Sequence, residues 1–123
     1  MNKYIFFFIL VISQYIMDRS NSNCNTYKGE FLLFIHHIYA IYLYTGSFFF
    51  DPFIHLIVVI STLFHWYIYK KCILTEYTNI YCGVDINRPF NDYIRMLKIY
   101  KLNKYIHWIL LFMLLCYDLC LII

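Results

Sequence analysis

HLIVVISTLFHWYIYKKCILTE, residues 55–76, is apolar from Leu56 to Tyr69, carries a histidine near each end of that run, and breaks at Lys70, Lys71 and Cys72. Extended back to Pro52, it gives an 18-residue segment that reaches about 27 Å as a helix, close to the roughly 30 Å of a bilayer's hydrocarbon core. Asp51 is a natural N-cap and Pro52 suits the first helical position, so the spacing predicts a membrane-crossing helix over 52–69.

The neighbours repeat the pattern. Residues 31–50 are apolar with His36, His37 and Gly46 inside, and the tight Asp51-Pro52 connection predicts a helical hairpin with 52–69. Residues 105–123 form another apolar run, and 4–17 a shorter one of about 21 Å. No small-x-small cleavage site follows that first run in QYIMDRSNSN, and cleavage would by alternation put the most basic loop on the lumenal side, so the run reads as a short span or an interfacial helix rather than a signal peptide. Between 18 and 30 the chain is polar and reads as a loop. The fold class expected is all-α: an integral membrane helical bundle, one domain over 1–123, with three to four transmembrane helices plus an interfacial amphipathic helix.

That last element comes from 70–104. Asn87, Arg88 and Pro89 resemble a helix start; Phe90, Tyr93, Ile94, Leu97 and Tyr100 then recur at three- and four-residue steps, opposite Arg95, Lys98 and Lys101. Loop 70–104 carries seven of the ten basic residues and the 46–52 connection none, which assigns the loop to the cytoplasm of a multi-pass protein. Its basic residues Lys70, Lys71, Arg95, Lys98 and Lys101 are expected to face lipid.

Composition agrees. The chain is 63% hydrophobic and 14% charged, against roughly 25% charged in soluble domains. The 14 Tyr and 12 Phe accompany frequent Ile, Asn and Lys, all with A/T-rich codons, so a base-stacking surface does not follow from them. A net charge of +3 gathered in one loop points to anionic headgroups as partners, with no nucleic acid and with room for a second copy or another membrane protein. Three glycines and no Ser-His-Asp order or paired carboxylates leave no catalytic residue to name.

The histidines are the candidates for chemistry. By helical rise His36, His37, His65 and His107 lie near one depth inside the cytoplasmic leaflet, the arrangement that bis-histidine haem b or a metal ion needs, while His55 stands alone at the other face. Against this, His65-Trp66 and His107-Trp108 suit an aromatic belt, and adjacent His36 and His37 point about 100° apart, so at most one should enter the bundle. Eight-histidine di-iron boxes are absent. The function expected is therefore structural or interaction-type and non-enzymatic, with no cofactor, and the alternative is a haem- or metal-binding redox or sensor protein. Asp118, near the exoplasmic end of the last span, is expected to snorkel. Cys24, Cys72 and Cys82 on the cytoplasmic side are expected to stay reduced, Cys72 being a juxtamembrane palmitoylation candidate, and Cys116 and Cys120 lie one turn apart.

One motif remains: Cys72-Ile73-Leu74-Thr75-Glu76, a helix exit followed by a restart that Thr75 can cap and Glu76 favours. Together with His36 or His37, Gly46 and His55, Cys72, Leu74 and Thr75 resemble an uncharacterised family of small four-helix bacterial membrane proteins, whose third helix runs into Cys-Pro-Leu-Thr-x-Leu-Glu. The chain departs from it with Ile73 for proline, with Glu76 two places early and with an added His65-Trp66. It is also similar to hypothetical membrane proteins of large DNA viruses. The resemblance implies a fold and no activity.

Overall fold

The computed structural model describes residues 2–20, 24–101 and 104–123, with the side chain of Tyr100 left aside. Its described residues form helices α1 (Lys3–Arg19), α2 (Tyr27–Phe49), α3 (Pro52–Tyr69), α4 (Ile73–Cys82), α5 (Tyr93–Met96) and α6 (Ile106–Ile122), with a 3-10 turn at Ile99–Lys101 and no strand. By length and composition α2 and α3 are apolar enough to cross a membrane, and α6 is a shorter apolar helix.

Local chemistry sets the boundaries. Asn2, Thr26 and Asp51 each accept a backbone N–H from the first turn of α1, α2 and α3. The expected Asp51-Pro52 start of α3 is present. α3 ends where Lys70 takes a left-handed backbone (φ 59°), an uncommon conformation for a residue with a Cβ, and α4 ends at left-handed Gly83 (φ 70°).

α2 is the hub, packing against α1, α3, α4 and α6, while α3 and α6 pair with each other. Tyr4 meets Phe50 at one end of the α1/α2 pair and Asp18 meets His37 towards the other, so these helices are antiparallel. The same holds for α3 and α6, where His55 meets Asp118 and Trp66 meets Trp108. Phe7, Val11 and Ile41 form one buried cluster, and Leu43, Val59 and Leu111 the other.

Three sequence expectations change. α1 does not stop at Met17: Phe7, Val11, Gln14 and Asp18 recur at four- and three-residue steps and form its buried face, so Asp18 belongs to the helix rather than to a loop. The amphipathic helix expected from 87 onward contracts to α5 and the 3-10 turn. Around Pro89 the chain forms no helix over 88–92, Asp92 caps α5 by accepting the Arg95 N–H, and left-handed Lys98 (φ 59°) separates α5 from the 3-10 turn. Thirdly, Cys24 and Cys82 are joined in a disulfide that ties the α1–α2 connection to the end of α4. Spacing alone gave no hint of this pair, because 58 residues separate its members. Gly29 lies against it, where an added Cβ would approach both sulfurs to 2.8 Å.

Candidate functional site

Two buried histidine–carboxylate pairs stand at opposite ends of the bundle. At the loop end His37 Nε2 donates to Asp18 Oδ2 (2.9 Å), and Asp18 Oδ1 accepts from Arg88 (3.1 Å). Gln14 donates its amide to His37 Nδ1 (2.8 Å) and accepts the Tyr93 N–H (3.0 Å). Asn79 holds the Arg88 stretch in place by donating to the carbonyls of Ile86 and Arg88 (3.1 and 2.8 Å). Asp18 and His37 are wholly enclosed, so α1, α2 and the segment leading to α5 are locked together through groups that water does not reach.

At the other end His55 Nδ1 lies 2.6 Å from Asp118 Oδ2, and His55 Nε2 donates to the carbonyl of Leu43 (2.9 Å). The carbonyl accepts only, so Nε2 carries a proton and a further proton is shared between Nδ1 and the carboxylate. The pair is thus neutral as a unit, which suits an apolar interior. Gly46 makes room for the ring: a Cβ there would sit 2.5 Å from His55 Cδ2. Asp118 is wholly buried, which overturns the snorkelling expectation, and His55 is not alone. α3 and α6 turn both residues inward because the alternative is an unpaired polar group in contact with apolar side chains.

A cleft of about 400 Å³ opens between α2, the end of α3, the start of α6 and the approach to α5. His36 and His107 both line it. The His36 ring stacks on Phe90 at 3.6 Å, its Nε2 lies 3.9 Å from Cys72 Sγ, and its buried Nδ1 has no hydrogen-bond partner among the described residues. His107 Nδ1 is 2.5 Å from the Tyr44 hydroxyl and 4.0 Å from an Asp92 carboxylate oxygen. Burial pushes the Asp92 carboxyl above the usual carboxylate range, against the opposing pull of the Arg95 N–H and His107.

The four histidines proposed for a cofactor are therefore divided. His37 spends both nitrogens on Asp18 and Gln14. His65 accepts weakly from the Ile73 N–H (3.5 Å), contacts Tyr69 and lines a different cleft from His36. Both His36 and His37 point inward, contrary to the one-inward expectation, because Phe90 packs across both rings from the loop. Among the described residues no group of three or more His, Cys, Asp and Glu side chains is arranged to hold a metal ion.

Of the motif, Cys72 caps α4 by backbone conformation alone, Leu74 is half-buried, and Thr75 faces the cleft from inside the helix rather than capping it. Glu76 lies in the first turn of α4 and pairs with Lys71. Lys70, Lys71 and Arg95 reach the cleft, whereas Lys98 and Lys101 are exposed outside its lining. The residues that sequence reasoning missed are Gln14, Asp18, Asn79 and Arg88. The four-and-three spacing from Phe7 to Asp18 carried the signal for the first two. Comparison with protein-family models, curated proteins and solved structures finds no match.

Proposed function

We propose that the chain is a multi-pass membrane protein of structural or binding type, non-enzymatic, with α1, α2, α3 and α6 crossing the bilayer. The observation that carries this reading is an inverted distribution of polarity. Ile5, Ile9, Ile12 and Ile16 form an exposed stripe on α1, as do Phe53, Ile57, Ile60 and Phe64 on α3. Asp18, His37, His55 and Asp118 are enclosed. Lipid rewards that arrangement and water does not. The enclosed groups are spent on one another, tying helix to helix, which favours a scaffold over a reaction centre. The likeness of Cys72, Leu74 and Thr75 to the helix exit of small four-helix membrane proteins is in keeping with the same architecture.

Orientation rests on charge. Arg19, Lys28 and the seven basic residues of the long loop share one end, with Lys3 alone at the other, and we assign the richer end to the cytoplasm. The Cys24–Cys82 disulfide at that end pulls the other way, since cytoplasmic thiols are usually reduced. We let charge decide; once the bond has formed, burial of both cysteines, at 5% and 4% exposure, shields it from reduction, because thiol exchange requires access to a sulfur.

The test is the visible spectrum and metal content of full-length protein purified in mild detergent from haem- and iron-replete cells. A folded, helical, colourless and metal-free protein is expected. A Soret band or stoichiometric metal lost in His36→Ala would replace this reading with a redox or sensor function.

A further inference from the structure

The cleft that holds His36 and His107 has the chemistry of a receptor for one kind of molecule. Its volume, about 400 Å³, lies within the range of small-molecule sites. Tyr39, Leu43, Phe90, Trp66 and Trp108 supply apolar wall. Lys70, Lys71, Arg95 and Lys104 also line it, against the single carboxylate of Asp92. That carboxylate is already engaged, accepting the Arg95 N–H at 2.9 Å beside His107. Lys71 is partly neutralised by Glu76, whereas Lys70 lies over the Tyr67 ring and Lys104 over the Tyr105 ring.

One feature of the cleft is costly without an occupant. His36 is 4% exposed and its Nδ1 has no partner among the described residues, a penalty of about 1–3 kcal/mol for a buried polar atom. When the Cys72 thiol donates to Nε2, Nδ1 carries the proton and is a donor without an acceptor. An oxygen acceptor bearing negative charge would satisfy that donor and suit the lysines around it.

We propose that this cleft binds the phosphate headgroup of an anionic phospholipid, Lys70 and Lys104 facing its charge, the first methylenes lying along Trp66 and Trp108, and the His36 ring turning against Phe90 so that Nδ1, enclosed here, donates to a phosphate oxygen. A whole diacyl lipid does not fit in the volume, so the tails continue into the bilayer. The proposal rests on the membrane reading above and adds to it a specific ligand class.

Both tryptophans of the chain are on the cleft wall, so intrinsic fluorescence reports on it directly. Full-length protein is reconstituted in neutral phosphatidylcholine nanodiscs and titrated with phosphatidic acid brominated near the glycerol, with brominated phosphatidylcholine as the bulk control. Saturable extra quenching by the acid is expected, competed by unbrominated phosphatidic acid but not by inorganic phosphate. Lys70→Gln with Lys104→Gln, both at exposed positions, should weaken it about 30-fold, at about five-fold per charge. His36→Phe keeps a ring on Phe90 and removes the donor; it too should weaken binding, and the rim pair tests the idea should that variant misfold. Equal quenching by both brominated lipids, or unchanged affinity in the rim variant, overturns the proposal. Competition by inorganic phosphate reassigns the cleft to a soluble phosphate compound and overturns the lipid. Failure of the protein to enter the nanodisc at all instead counts against the membrane reading.

Discussion

Asp118→Leu, with His55 retained, is expected to destabilise the bundle by about 3–5 kcal/mol, the cost of stranding one member of a buried pair. The arithmetic follows from the site. His55 Nε2 already donates to Leu43, so without Asp118 the ring either keeps the shared proton as an unpaired buried cation or sheds it and leaves Nδ1 unsatisfied. Leucine fills a similar volume, so the loss is polar and not a cavity. His55→Leu should cost a similar amount by leaving Asp118 unpaired, since its Oδ1 already lacks a partner. The double change His55→Leu, Asp118→Leu should recover most of the loss, because two apolar side chains then meet where a pair had to be desolvated. Denaturation of the four proteins in one detergent closes this cycle. An Asp118→Leu protein as stable as the parent would mean that the carboxylate reaches water after all.

The second large effect is expected at the other end. Asp18→Ala removes the acceptor shared by His37 and Arg88 and should also cost about 3–5 kcal/mol, whereas Arg88→Ala, whose side chain is 21% exposed, should cost less. The two ends differ in what they release. His55 and Asp118 join two helices directly, but Asp18 also anchors a long loop through Arg88, and Gln14 on the same face holds the Tyr93 N–H. Hydrogen exchange should therefore rise across residues 84–96 in Asp18→Ala and stay unchanged there in Asp118→Leu. Equal protection of that segment in both variants would show that the loop is held by something other than this network.

The reach of the sequence follows from the range of the interactions. The α3 start at Asp51 and Pro52 depends on neighbours one to three residues away, and it was legible. So were the apolar runs that become α2 and α3. Asp18 was misplaced because a charge after an apolar run ordinarily marks a helix end, and only its heptad-like relation to Phe7, Val11 and Gln14 says otherwise. The pairings His55–Asp118 and Cys24–Cys82 span 63 and 58 residues, and no local pattern encodes them. The cleft is a further step removed, since α2, α3, α6 and the Phe90 segment must all be in place before His36 and His107 share it. Depth along a helix had grouped four histidines; rotation about each axis separated two of them.

The account as a whole turns on whether lipid covers the outside of the bundle. Cys116 is exposed on α6 and is not in a disulfide, seven residues before the end of the chain. A membrane-impermeant maleimide, applied to native membranes opened to both sides and read by mass spectrometry, measures whether water reaches that thiol. Cys116 is expected to be protected until the membranes are dissolved in SDS and then to react fully. Modification of Cys116 in intact bilayers at the rate seen in SDS would contradict it.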